Sequence, residues 1–220
     1  MKKKLVIFGN SEIAQLAHFY FSSDSDYQVA AFTVDEEFIS DSEFMGLPIV
    51  PFEKVQDIYS PNEYCMFVAL SYTKLNELRK LKYYESKGKG YELASYVSSK
   101  CTNFATSIGE NCFILEDNTI QPFVVIADNV TLWSGNHVGH HSTINSHNFI
   151  SSHVVISGGV TVAEQCFIGV NVTLRDHIII GEKNVIGAGA TILSNTDSEG
   201  VYIVKETERS RIPSSRLRKI

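Results

Sequence analysis

The sequence predicts two unlike domains: a small Rossmann-like α/β domain over residues 1–86 and a left-handed parallel β-helix over residues 87–220, the latter ending in a C-terminal tail. Two observations carry this. From Ile108 to Ile192 every sixth residue is Ile, Leu or Val, without a slip in register. Before that stretch, short apolar runs alternate with a segment whose apolar residues recur at helical spacing. Strands alternating with helices build a parallel sheet.

The six-residue period decides the fold of the second half. Neither the helical period of 3.6 nor the strand period of 2 enforces it. The fourth residue after each aliphatic is usually small or β-branched, as at Cys112, Val124, Val130, Ser142, Val154, Val160, Cys166, Val172 and Ala190. The residue just after it is often Gly or Ala, as at Gly109, Gly139, Gly169 and Gly187. A triangular solenoid accounts for all three regularities. Each hexapeptide supplies one short strand and one corner, and three hexapeptides close one coil. The aliphatics point inward and stack on their equivalents one coil on, so the core grows as a column. Cys112 and Cys166 lie three coils apart and share one internal column, which explains both by packing.

In the first half, Leu5–Phe8 reads as a buried strand, followed by a turn at Gly9-Asn10-Ser11. Ile13, Ala14, Leu16, Ala17, Tyr20 and Phe21 then recur as one helical face. Val29–Val34 is a second strand that ends in Asp35, and Cys65–Leu70 is another. A basic helix is expected from about Leu75 to Tyr84, with Ser86–Gly90 as the linker into the solenoid.

Composition narrows the function. The chain has 220 residues, a formal net charge of −6 and a sequence pI near 5.6. A nucleic-acid binder normally shows a basic surface, so that class is set aside. The apolar run after the basic start is only four residues long, too short for a signal peptide or a membrane span. A cytoplasmic protein with reduced cysteines is therefore expected, without membrane partners.

Two stretches carry candidate chemistry. Gly9, Asn10 and Ser11 sit where a strand gives way to a helix, and free N–H groups at a helix start hold phosphate. Asp35 ends the second strand, a common place for a ribose-contacting carboxylate. Ser11 stands where the dinucleotide fingerprint has its middle glycine, and the domain is about half a dinucleotide fold, so a mononucleotide-type site is expected. The bland alternative is a simple tight turn. The second stretch holds His137, His140, His141, His147 and His153, five of the seven histidines. None takes an inward position, so they are expected to face outward. Their spacing matches no standard metal motif, and no metal is expected. His140 stacks one coil below Gly158, beside Gly159. That leaves open space next to an imidazole able to act as a base near neutral pH. Exposed polar surface is the reading for the other four. The tail from Arg209 to Ile220 is basic, either a solvated end or a contact for coenzyme A phosphates.

Gly139-His140-His141-Ser142 running on to Ser157-Gly158-Gly159-Val160, behind a nucleotide-type domain, resembles the bacterial nucleotide-sugar acetyltransferases of the hexapeptide-repeat class. The resemblance covers nearly the whole chain. It implies an acetyl-CoA-dependent N-acetyltransferase acting on a nucleotide-linked amino sugar, with His140 as catalytic base and the Gly158 N–H on the acetyl carbonyl. It implies further that Gly158, Gly159, Gly187 and Ala188 line the coenzyme, and that Gly9, Asn10, Ser11 and Asp35 hold the nucleotide. A homotrimer with the coenzyme groove between neighbouring β-helices follows, and exposed Trp133 and Phe123 would suit such contacts. The chain departs from the family where His141 replaces an acidic residue, where Phe149 replaces a second histidine, and where Val201–Lys205 replaces a Gly-Val-Pro-Ala ending. The expected acceptor is a dTDP- or UDP-linked 4-amino-4,6-dideoxyhexose, for surface-glycan assembly. A sugar O-acetyltransferase and a non-catalytic β-helix scaffold are the alternatives.

Overall fold

The computed structural model describes residues 3–216. Its first part is a five-stranded sheet: β1 (Lys3–Phe8), β2 (Tyr27–Val34), β3 (Glu43–Phe44), β4 (Leu47–Pro51) and β5 (Tyr64–Val68), in the order β3-β4-β2-β1-β5. All neighbours are parallel except the short β3–β4 hairpin at one edge. Three helices accompany it: α1 (Glu12–Ser23), the single turn α2 (Val55–Ile58) and α3 (Glu77–Gly88). Val6, Ile7, Phe21, Phe32 and Met66 are fully buried between these layers. The hairpin is hidden in the sequence because Pro48 and Pro51 fall within a five-residue strand; Pro48 precedes the β2 pairing, which begins at Ile49, and Pro51 is the last residue of the strand. The segment read as a linker is helical as far as Gly88. The chain then turns at Gly90, with φ +88°, and runs beside Met66 before entering the solenoid.

The second part is a triangular parallel β-helix. Its first face runs from Tyr96–Val97 to Val201–Tyr202, its second from Thr102–Asn103 to Thr191–Ile192, and its third from Ser107–Ile108 to Ile179–Ile180. Strands pair in register with those one coil away, as Thr119 with His137 and Ile126 with Ile144. Every aliphatic of the hexapeptide series is buried except Ile108, which packs on the core from the first coil. The solenoid extends beyond the regular repeat at both ends. Tyr96 pairs with Phe113 and Val185 with Val201. Both spacings fall short of three full hexapeptides, so a strict six-residue count misses those coils.

The corner position four residues after each aliphatic is buried throughout; at Ser142 it is a hydroxyl, and at Asn118, Asn136, Asn148 and Asn184 an amide. These amides stitch coil to coil. Asn148 Nδ2 donates to Asn145 O at 2.7 Å and to Ala163 O at 2.9 Å, while its Oδ1 accepts from Cys166 N at 2.7 Å. A corner leaves backbone groups inside the column, and a buried group without a partner costs a few kcal/mol. Asparagine is small enough to fit and polar on both sides, which the reading of small or β-branched residues overlooked.

The two parts interlock along α3. Asn76, just before α3, donates to Cys166 O at 2.9 Å. Arg79 is 1% exposed and reaches Asn148 O at 2.9 Å as well as the hydroxyl of Thr131. Tyr83 donates to Asp128 at 3.0 Å. The α/β domain thereby covers the first face and the corner that precedes it. Trp133, expected to be exposed, is partly buried against this domain and its Nε1 is enclosed. Among the described residues, no helix is long and apolar enough to cross a membrane. The described tail residues Arg209 to Arg216 are exposed, and the rest of the tail lies outside the described residues.

Candidate active site

The solenoid corners explain most of the histidines without chemistry. The third residue after each inward aliphatic has positive φ at every corner from Asn111 to Gly189. Gly adopts that backbone freely, and Asn, Asp and His adopt it more readily than other residues. His141, His147, His153 and His177 hold this place, with φ of 58°, 65°, 59° and 55°. His137 lies on a second-face strand. His140 is the one histidine at a corner that the backbone does not call for.

His140 is exposed at the corner between the second and third faces, and its ring rises against the next coil. A methyl group on Gly158 would lie 2.6 Å from its Cε1 and 2.8 Å from its Nε2. Gly158 has no positive φ, so its bareness makes room for the ring and serves no backbone need. The backbone of His140 is pinned twice: its N–H donates to Gln121 Oε1 at 2.9 Å, and its carbonyl accepts from Gly159 N at 2.8 Å. Its Nδ1 lies 3.1 Å from His141 Nδ1. The His141 ring in turn packs on Phe123, with centroids 4.6 Å apart. The Gly158 N–H makes no hydrogen bond among the described residues. It stands beside the imidazole as a free donor. His177, which the sequence reading left out, has its ring against Gly159.

A cleft of about 410 Å³ opens at the carboxyl end of the sheet, lined by Phe8, Gly9, Asn10, Ser11, Asp35, Phe38, Leu70, Leu78, Leu81 and Lys82 among others. The four nucleotide-type residues are thus together in one pocket. Gly9 has φ +130°, and a methyl there would lie 2.8 Å from Ala69 O, so only glycine fits the turn. Asn10 donates to Phe38 O at 3.2 Å and holds the loop after β2 over the cleft. Lys82 Nζ contacts Asp35 and Glu85, each at 2.7 Å. Burial works against the charge on Lys82, but those two carboxylates outweigh it and hold the ammonium above its usual range. The sequence marked α3 as basic; only the fold shows which of its lysines turns into the cleft.

Among the described residues, none of the solenoid lines the cleft. Gly187 and Ala188 lie at a third corner, between the first and second faces, and do not meet His140 within one chain. Gly187 is closely covered, with a methyl there 2.9 Å from Tyr202 O, whereas Ala188 is exposed.

His147 corrects the expectation that the histidines face outward. It is 1% exposed, because α3 lies over its corner. Tyr84 Oη is 3.2 Å from its Nε2 and Asn129 Nδ2 is 2.9 Å from its Nδ1. Burial, then the charges of Lys80 and Arg79, lower its pKa to about 4. All four cysteines are free, and burial pushes Cys112 up to about 12 and Cys166 to about 11.

No family model matches the chain, and no curated protein does. Solved structures match it over nine-tenths of its length. The acetyltransferase domain of PglB from Neisseria gonorrhoeae, in complex with acetyl coenzyme A, is 19% identical over 91% of this chain and 96% of that one, with a TM-score of 0.80. PerB from Caulobacter crescentus, in complex with CoA and GDP-perosamine, is 20% identical over 90% and 92%, with a TM-score of 0.79. WeeI from Acinetobacter baumannii is 15% identical over 90% and 94%, with a TM-score of 0.75. The α/β domain followed by a parallel β-helix is therefore a fold this chain shares with acetyltransferases of known structure.

Proposed function

We propose that the protein is an acetyl-CoA-dependent N-acetyltransferase acting on the amino group of a nucleotide-linked amino-deoxy sugar. One observation carries the reading: an exposed imidazole, His140, sits directly beneath a residue without a side chain, Gly158, whose N–H is free. A base and an oxyanion donor side by side are what acyl transfer requires. Two structures of the same fold support it, one holding acetyl coenzyme A and the other holding CoA with GDP-perosamine.

In the reaction the sugar amine attacks the thioester carbonyl as His140 Nε2 takes its proton. The carbonyl oxygen gains negative charge and accepts the Gly158 N–H. Collapse of the tetrahedral intermediate breaks the C–S bond, and the coenzyme A thiolate takes the proton held on His140 Nε2. The products are the acetamido sugar and coenzyme A. No covalent enzyme intermediate and no metal are needed.

The nucleotide would occupy the cleft at Gly9, Asn10, Ser11 and Asp35. Because that cleft and His140 lie on different sides of the β-helix, the acceptor bound to one chain is best presented to His140 of a second. A homotrimer with the coenzyme between neighbouring β-helices satisfies this, and it would also bring Gly187 and Ala188 of one chain toward Gly158 and Gly159 of the next. A dTDP- or UDP-linked 4-amino-4,6-dideoxyhexose, met in the cytoplasm, remains the proposed acceptor.

The test is thiol release from acetyl-CoA with a panel of nucleotide-linked sugars, amino and non-amino. Turnover restricted to amino sugars is expected, and His140→Ala should lower kcat about 10²–10⁴-fold with KM little changed. Turnover with hydroxyl-only sugars would instead establish an O-acetyltransferase, and silence across the panel would overturn the catalytic reading.

A further inference from the structure

Two imidazole nitrogens 3.1 Å apart cannot both carry a proton, nor both lack one, without repelling each other. The contact between His140 Nδ1 and His141 Nδ1 therefore ties the tautomer of one ring to that of the other. Only one of the two pairings leaves a base facing the reaction. If His141 donates to His140, the remaining proton of neutral His140 sits on Nε2, the atom against Gly158, and nothing is free to accept. If His140 Nδ1–H donates to His141 Nδ1, the Nε2 lone pair is left facing Gly158.

The surroundings hold the pair in place. His141 N–H donates to Pro122 O at 3.3 Å, and its ring rests on Phe123. The coil below presents Gln121, Pro122 and Phe123 at this corner, and the coil above presents Ser157, Gly158 and Gly159. None of these titrates. Charged or titratable groups return to the corner at Arg175, Asp176 and His177, one coil further, where the His177 ring touches Gly159. Among the described residues no carboxylate hydrogen-bonds to either ring, so His141 is the group that orients the base.

We propose that His141 is a positioning residue: its Nδ1 accepts the Nδ1–H of His140, fixing the tautomer in which His140 Nε2 is the base. No covalent bond is made or broken by His141, and the proton taken from the substrate is held on His140 Nε2 and passed to the leaving thiolate. That the two rings share one proton rests on the contact alone; which ring donates rests on the acetyltransferase reading.

Three substitutions separate the hydrogen bond from mere packing. His141→Asn keeps an acceptor, and Asn suits the φ of +58° found there. His141→Phe keeps the ring and loses the acceptor. Phenylalanine is tolerated in this backbone, since Phe123 holds the equivalent place one coil below at φ +67°. His141→Asp supplies a charged acceptor. With the full-length enzyme, His141→Asn should hold kcat within about threefold, while His141→Phe lowers it about 10–10²-fold with both KM values unchanged. His141→Asp should move the acid limb of the pH profile upward, because a carboxylate favours the protonated imidazole. Nitrogen-15 imidazole spectra of the same proteins need no substrate. His140 should be the Nδ1–H tautomer in the native protein and in His141→Asn, and a mixture in His141→Phe. Native-like kinetics and an unaltered His140 tautomer in His141→Phe would overturn the proposal. An inactive native enzyme with the expected tautomers would overturn the acetyltransferase reading and leave the pairing standing.

Discussion

Lys82 Nζ and Asp35 Oδ1 meet at 2.7 Å, joining α3 to the carboxyl end of β2 at the mouth of the cleft. Asp35, Glu36, Glu37 and Glu53 crowd that rim, where Lys82 pairs with Asp35 and Lys54 with Glu36. A diphosphate approaching the cleft would meet stronger negative charge without Lys82. Lys82→Met should raise the KM for the nucleotide sugar tenfold or more, the equivalent of about 1.4 kcal/mol. The KM for acetyl-CoA should stay unchanged, since no described solenoid residue lines the cleft. Steady-state kinetics with each substrate varied in turn decide this. An equal rise in both constants would show that Lys82 acts on the fold and not on the cleft.

Gly158→Ala offers a second probe of the candidate centre. The added methyl would sit 2.6 Å from the His140 ring and force it aside, while the backbone at Gly158 tolerates any residue. The expected outcome is a fall in kcat of about 10²-fold or more with the thermal midpoint shifted by only a few degrees. A large loss of stability at full specific activity would contradict it.

His147 ties stability to pH. Its folded pKa, about 4, lies below the usual 6.5, so the unfolded chain takes up the proton first. Its contribution is complete above pH 6.5 and drains away as pH falls from 6.5 toward 4. The span corresponds to about 3 kcal/mol at most. Urea midpoints at pH 7.5 and 5.0 should show the native protein losing more stability than His147→Asn over that range. Parallel losses in the two proteins would exonerate His147.

The thiols should be inert. Burial raises Cys101, Cys112 and Cys166 to about 11, 12 and 11, and it raises Cys65 as well. Thiolate is the reactive form, so little is available at neutral pH. A disulfide reagent added to the native protein should release less than one equivalent of colour in minutes, and four after denaturation. Rapid reaction of the native protein would mean that one of these sites opens.

By itself the sequence determined the solenoid and the presence of a strand–turn–helix site, because both rest on local rules. An aliphatic every sixth residue can be satisfied only by a three-sided column, and Gly9 before a helix start needs no distant partner to be read. The sequence also singled out His140, through the bare Gly158 one coil on. His141, His147, His153 and His177 share the corner place that favours positive φ, a regularity visible only once the corners are in three dimensions. Tertiary structure alone decided which outward positions are covered. His147 and Trp133 carry the same pattern as exposed corner residues, yet the α/β domain lies over both, and burial depends on what a distant segment packs against. The same holds for Lys82, one of several lysines on α3, which alone among them lines the cleft and reaches Asp35.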